Sequence, residues 1–300
     1  MIIIHSTRVS GLKLRRENMN DVIIMSDSTC DLSKELIEKH QIPIIPLYVN
    51  FGDDLYRDGV DITTRELYQK VDERGMLPKT SAPSIGDFIE IFKPYIEDGK
   101  DIVYIGISSK LSATQQNARL AAQEFPEGRI HVVDSLNLST GIGLLVLKAC
   151  TYRDKGHSAK EIAEYIEGIV PRVKTAFVID TFDYLHKGGR CSSLTSFVGT
   201  MLKIKPIIHV IDGGMIVGQK PRGIKKAYRI MLSQIFNDKN ILDSEFVMVT
   251  HSEAPDAAKY LAEEINNHLS VDNLYTTEAG CVISSHCGPG TIGILYITKE

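Results

Sequence analysis

The stretch VISSHCGPGTIGILYI, residues 282–297, sets His286 between an apolar run and a loop of glycines. An imidazole in that setting suits four kinds of chemistry: metal ligation, general-base catalysis, hydrogen bonding to an anion, or plain burial in a core. Other candidates stand at predicted strand ends. PKTSAPS (78–84) carries Thr80 and Ser81, ISSKLSATQQNA (107–118) carries Ser108 and Ser109, and LHKGGRCSS (185–193) carries Arg190. DSTCDL (27–32) lies at a further strand end. Small hydroxyls, glycines and a lone cation are groups that grip an anion. Taken singly, Asp27, Ser28, Asp31 and the four hydroxyl residues read equally as N-caps or turn formers.

Named catalytic motifs fail in context. GPGTIG (288–293) matches the dinucleotide pattern GxGxxG, but only ILYITKE follows it, a closing strand and not the helix whose N-terminus would hold a pyrophosphate. GGMIVGQK (213–220) has Gln219 where a phosphate loop needs its lysine, and a hairpin explains its glycines. There is no HExxH, no GxSxG and no histidine pair at i, i+4, so neither a zinc site nor a nucleophile elbow is expected.

Composition narrows the classes further. Three hundred residues with 43% hydrophobic and 24% charged side chains support a large core and two domains. A formal net charge of -4 argues against nucleic acid as partner. The cysteines at 30, 150, 191, 281 and 287 form no CxxC pair, which suggests reduced thiols in a cytoplasmic protein. No apolar run approaches the roughly 20 residues of a membrane span. Residues 1–18 resemble no signal peptide and read as an extension outside the fold.

The elements that must position these groups alternate along the chain. DVIIMSD, IPIIPLYVNF, DIVYIGIS and RIHVVDS read as extended segments, separated by helices after Ser33, near 64–74, 85–97 and 110–124, with a long helix from about 137. Short strands apolar throughout belong to a parallel α/β sheet covered on both faces, here spanning residues 19–170. After a helical connector ending at Pro171, KTAFVID opens a second domain, 171–300, of α+β type with much antiparallel pairing. Within it, IIHVIDGGMIVG carries an Asp-Gly-Gly hairpin signal. VISS before His286 reads as strand-like.

Together, DSTCDL, KTSAPS, ISSKLSATQQNA, VVDS, DTFDYLHKGGRCS, KIKPIIHVIDGG, KPRGIKKA and HCGPGTIGI occur in the order expected of a DegV family protein. The chain resembles that family from about Met19 to its end. The resemblance implies a two-domain α/β fold with a long-chain fatty acid buried between the domains, as in the FakB subunits of bacterial fatty acid kinase. On this sequence the implied carboxylate ligands are Thr80 or Ser81, Ser108 or Ser109, and His286. Arg190 and Arg222 match arginines associated with phosphoryl transfer or kinase docking. The implied partner is a separate ATP-dependent kinase, and the role is that of an acyl carrier for phospholipid synthesis, in transient contact with a membrane surface. No cofactor other than the bound fatty acid is implied. The sequence departs from the family pattern at Ala82, Ala113, Cys191 and Cys287, none of which removes an implied ligand.

The chemistry is self-consistent. A buried carboxylate needs good hydrogen bonds, which two hydroxyls and an imidazole N–H provide. Each buried methylene contributes roughly 0.8 kcal/mol, so the tail supplies affinity while the head sets identity. On that reading His286 is an anion donor. LTSFVGTMLKIKPI (194–207) is a candidate tunnel wall through Phe197, Met201 and Ile204 at near-helical spacing, equally a plain core stripe. Two alternatives stand beside this: a lipid sensor without turnover, and a serine hydrolase using Ser108 or Ser109 with His286.

Overall fold

The computed structural model describes residues 21–190 and 204–299; the predicted extension lies outside them. The chain runs β1 (Val22–Asp27), α1 (Lys34–His40), β2 (Ile44–Ile45), β3 (Tyr48–Phe51), β4 (Asp54–Arg57), α2 (Thr64–Arg74) and β5 (Lys79–Ser81). Next come α3 (Ile85–Glu97), β6 (Asp101–Gly106), α4 (Thr114–Ala122), β7 (Ile130–Asp134), α5 (Thr140–Asp154) and α6 (Ala159–Ile169). β8 (Val173–Val178), α7 (Asp183–Gly188), β9 (Ile207–Ile211), β10 (Gly214–Val217) and α8 (Ile224–Asn237) follow. The chain closes with β11 (Leu242–Ser252), α9 (Pro255–His268), β12 (Leu274–Glu278), α10 (Cys281–Cys287) and β13 (Thr291–Thr298).

These strands make three sheets. A parallel sheet has the order β2-β1-β6-β7, and a six-stranded sheet the order β10-β9-β8-β13-β11-β12, antiparallel except between β11 and β12. Both match the sequence reading of a parallel α/β half followed by an α+β half. The third sheet, β4-β3-β5, was not foreseen, because β5 comes from KTSAPS, read as a loop. Its Lys79–Ser81 pair antiparallel with β3, Thr80 opposite Val49.

The long helix α5 joins the two larger sheets. Every residue from Thr140 to Cys150 is buried, so the helix is covered all round. Ile142, Leu145 and Val146 belong to one apolar cluster that reaches Ile24, Val103 and Ile105 of the parallel sheet and Phe246, Met248 and Leu295 of the other.

Local chemistry explains most element starts. Thr63 with Glu66, Ser84 with Asp87 and Ser158 with Glu161 form capping boxes that begin α2, α3 and α6. In the β9–β10 hairpin, Asp212 and Gly213 both take positive φ, the backbone a tight two-residue turn requires.

The segment before His286 is a helix and not the strand that VISS suggested. The physical reason is long-range. Asp58 accepts hydrogen bonds from the amides of Cys281 (2.7 Å) and Val282 (3.3 Å), and Asp31 from that of Gly280 (2.9 Å). These are the amides that a helix N-terminus leaves unpaired. No residue beside the helix caps it, so local pattern could not reveal it.

Candidate functional site

His286 occupies the last turn of α10. The helix packs Cys281 and Val282 onto the small sheet against Leu47, Val49 and Phe51. Beyond it, Gly288 takes φ +76°, and a Cβ there would meet the Tyr184 ring at 2.8 Å, so the turn out of the helix requires glycine. Gly188, at the end of α7, abuts the imidazole: a Cβ on it would lie 2.4 Å from His286 Nδ1.

Among the described residues the ring makes one hydrogen bond, between Nε2 and Thr80 Oγ1 at 2.8 Å, and its buried Nδ1 has no partner. Burial, and then the neighbouring Arg190 charge, push the His286 pKa down to about 4. The group is therefore a neutral imidazole at pH 7, able to donate one N–H but carrying no charge. Positive charge comes from the exposed Arg190, whose Nη1 is steadied by donation to Gly188 O at 2.6 Å.

Thr80, Ser81, Arg190 and His286 line one cavity of about 180 Å³. Ser81 is exposed there and accepts from Asn50 Nδ2 at 3.3 Å. A fifth polar residue, Ser112, was missed by sequence reasoning. The helix expected over 110–124 begins only at Thr114, and the preceding turn leaves Ser112 on the cavity wall. Its Oγ pairs with Thr114 Oγ1 at 2.8 Å and accepts from the Thr114 amide at 3.3 Å. The Ser-x-Thr spacing ahead of a helix was the available signal.

Other expected residues fall elsewhere. Ser108, which lines neither this cavity nor the hollow beside it, is buried and donates to Gly213 O at 2.8 Å, fixing the tip of the β9–β10 hairpin. Ser109 is exposed, its amide turned to the Asp134 carboxylate at 3.3 Å. Ser108 is thus engaged with the hairpin, and Ser109 faces solvent. Thr80, not a serine, faces the imidazole. Arg222 is exposed and bridges Ile204 ahead of α8; neither lines the cavity. Phe197 and Met201 lie outside the described residues. The wall that is described comes instead from Leu111, Leu138, Met215 and Ile283.

A second hollow of about 60 Å³ continues from the first, sharing Leu138, Met215, Ile283 and His286. It runs between α10 and the six-stranded sheet, where Phe177, Gly293 and Leu295 line it. Its hydroxyls are engaged with one another or with buried polar groups: Thr250 with Thr140 and Thr277, Ser252 with Tyr68 and Ser284, and Thr175 with Asn137. The arrangement is an elongated space, polar at one end and apolar at the other, with a neutral imidazole at the junction.

Beneath α10, Asp27, Asp31 and Asp58 are all buried, and burial raises each carboxyl above its ordinary range. Asp27 accepts from Tyr104 Oη at 2.7 Å and from the Ile107 amide at 3.0 Å, and Asp31 from Ser139 Oγ. Asp27 also accepts from the Thr29 amide at 3.0 Å, capping the turn at 28–30, and Asp31 serves a helix far along the chain, so the capping reading of both fits. Among the described residues no group of three or more His, Cys, Asp or Glu is arranged to hold a metal ion. Cys30, Cys150, Cys281 and Cys287 are buried free thiols. Among the described residues no helix is long and apolar enough to cross a membrane.

A DegV domain-containing protein of Clostridium acetobutylicum is 36% identical over 282 residues, spanning 94% of this chain and 100% of that one. Among solved structures, a DegV family protein from Thermus thermophilus described by its fatty acid binding matches with a TM-score of 0.87 at 34% identity, covering 93% of this chain and 99% of that chain. DegV from Bacillus subtilis, a fatty acid binding protein, matches at 0.83 and 30% identity, covering 94% and 100%. A stearic acid-binding protein from Eubacterium ventriosum matches at 0.82 and 30% identity, covering 94% and 99%. The family model described as an uncharacterised protein of the DegV family spans residues 21–299, which takes in all the described residues, and the chain belongs to the DegV family.

Proposed function

We propose that this protein binds a long-chain fatty acid between a domain of residues 19–170 and one of residues 171–300, and presents its carboxylate to a separate ATP-dependent kinase. The observation that carries the reading is the pair of adjoining hollows that share His286, one lined by Thr80, Ser112 and Arg190 and the other chiefly by apolar side chains. With His286 Nε2 exchanging its Thr80 partner for the carboxylate, that N–H and the hydroxyls of Thr80 and Ser112 donate to it, and Arg190 supplies the opposite charge that makes a partly buried anion tolerable. The tail then gains roughly 0.8 kcal/mol for each methylene removed from water. The fatty-acid-binding relatives support this reading.

The phosphoryl group comes from the partner, and the exposed Arg222 belongs to docking and not to ligand retention. The protein acts as a cytoplasmic acyl carrier. Lipid extraction of the purified protein followed by mass spectrometry tests the binding, with about one unmodified fatty acid expected per chain. His286→Ala is expected to lose that lipid or its phosphorylation while remaining folded. Arg222→Ala is expected to keep the lipid and lose turnover with kinase and ATP. An empty wild-type protein with esterase activity would replace this reading by the hydrolase one.

A further inference from the structure

β13 lies inside the six-stranded sheet, paired with β8 on one side and β11 on the other. Its residues alternate between two environments. Ile292, Ile294 and Tyr296 join the apolar cluster under α8 and α9, whereas Thr291, Gly293 and Leu295 line the apolar hollow. A glycine inside a buried central strand is unfavourable, since it loses more backbone freedom on folding and packs nothing.

Nothing in the backbone demands it. Gly293 is not among the residues at positive φ. A Cβ at 293 would lie 3.1 Å from Phe177 Cβ, 3.2 Å from Ala176 O and 3.4 Å from Leu295 Cδ1, so a side chain enters only if these neighbours give by a few tenths of an ångström. Gly293 itself lines the hollow.

The surrounding floor follows the same pattern. Gly293 pairs with Thr250, and Thr291 with Ser252, so this part of the sheet face is low. Two residues further on, Leu295 pairs with Met248, and both pack into the cluster around α5. The floor rises there and the hollow ends.

We infer that Gly293 is the chain-length gauge of the acyl site: the far end of the tail lies over the Gly293–Thr250 pair and stops against Leu295. The inference rests on the fatty-acid reading proposed above and adds which tails it accepts. A side chain at 293 fills the last part of the space and displaces the terminal carbons of the longest acids while leaving shorter ones seated. Each methylene denied its burial lowers affinity about fourfold.

The test is isothermal titration of delipidated wild type, Gly293→Ala and Gly293→Val with myristate, palmitate and stearate. Relative to wild type, the stearate-to-myristate affinity ratio is expected to fall about fourfold in Gly293→Ala and about fifteenfold in Gly293→Val, at one and two methylenes lost. Myristate affinity stays within about twofold. If Gly293→Val does not fold, the alanine variant decides alone. Ile294→Val, facing away from the hollow, serves as control and should leave the ratio unchanged. Equal weakening of all three acids, or an unchanged ratio in Gly293→Ala, overturns the inference while leaving fatty-acid binding intact. A wild-type protein that takes up none of the three overturns the proposed function itself.

Discussion

Two helices lie over one face of the six-stranded sheet and treat it in opposite ways. α5 is buried from Thr140 to Cys150, and its Leu144, Leu145 and Leu147 share one apolar cluster with Phe246, Met248 and Leu295 of the sheet. α10 is seven residues long, hangs by its amides from Asp31 and Asp58, and leaves a hollow between itself and Gly293. The same sheet thus supplies stability where large side chains meet it and a site where small ones do. Binding space here is packing withheld from a defined patch, and the patch can exist because the remainder is filled to native density.

The sharpest way to break this contrast is through the filled side. Leu145→Ala, at a fully buried position of α5, is expected to cost about 3 kcal/mol, visible as a lower urea midpoint, with fatty-acid selectivity unchanged in the folded fraction. A change of selectivity without loss of stability would mean that the two regions are not separate.

A comparable effect is expected from pH at the hollow side. His286 has its folded pKa near 4 against an ordinary 6.5, because the buried ring resists charging. Its contribution to stability is fully present above about pH 6.5 and is lost as pH falls toward 4, since the unfolded chain binds a proton that the folded one refuses. Between pH 7 and pH 4 the wild type should lose about 3 kcal/mol more than His286→Gln. Equal losses in the two proteins, read from denaturation midpoints, would place the imidazole in water. The raised carboxyls of Asp27, Asp31 and Asp58 act in the opposite sense, favouring the fold at low pH, and cancel in this comparison between variants.

Asp58→Ala comes next. It strands the amides of Cys281 and Val282, and relief of the buried charge offsets part of the loss, for a net cost of about 2 kcal/mol. Retained fatty acid should fall with it, and Asp58→Asn, which keeps one acceptor oxygen, should recover part of both. Full lipid retention in Asp58→Ala would show that the helix holds His286 in place unaided.

Strands and helices set by local chemistry were legible before the structure. The apolar runs of β1, β6 and β7, the helix start after Ser33 and the Asp212–Gly213 turn all carry their instructions within a few residues. α10 does not, since its capping groups are more than 200 positions away, and CVISSHC alone reads as readily extended. The site divided along the same line. Thr80, Ser81, Arg190 and His286 were recognisable from residue type beside glycines and strand ends. Finding Ser112 on the cavity wall required knowing where α4 begins, and element boundaries are what a sequence states least clearly.

The bonds that assemble the head-group end link positions far apart: Thr80 to His286 across 206 residues, Asp58 to Cys281 across 223, and Asp31 to Gly280 across 249. During synthesis these partners meet only once residues 280–286 have left the ribosome, long after β1 to β7 have had time to collapse. On the fatty-acid reading proposed above, lipid capture is therefore a late event in the life of each molecule. A nascent chain stalled before Gly280 would carry both larger cores in part and, on that reading, hold no ligand, so loading would wait for α10.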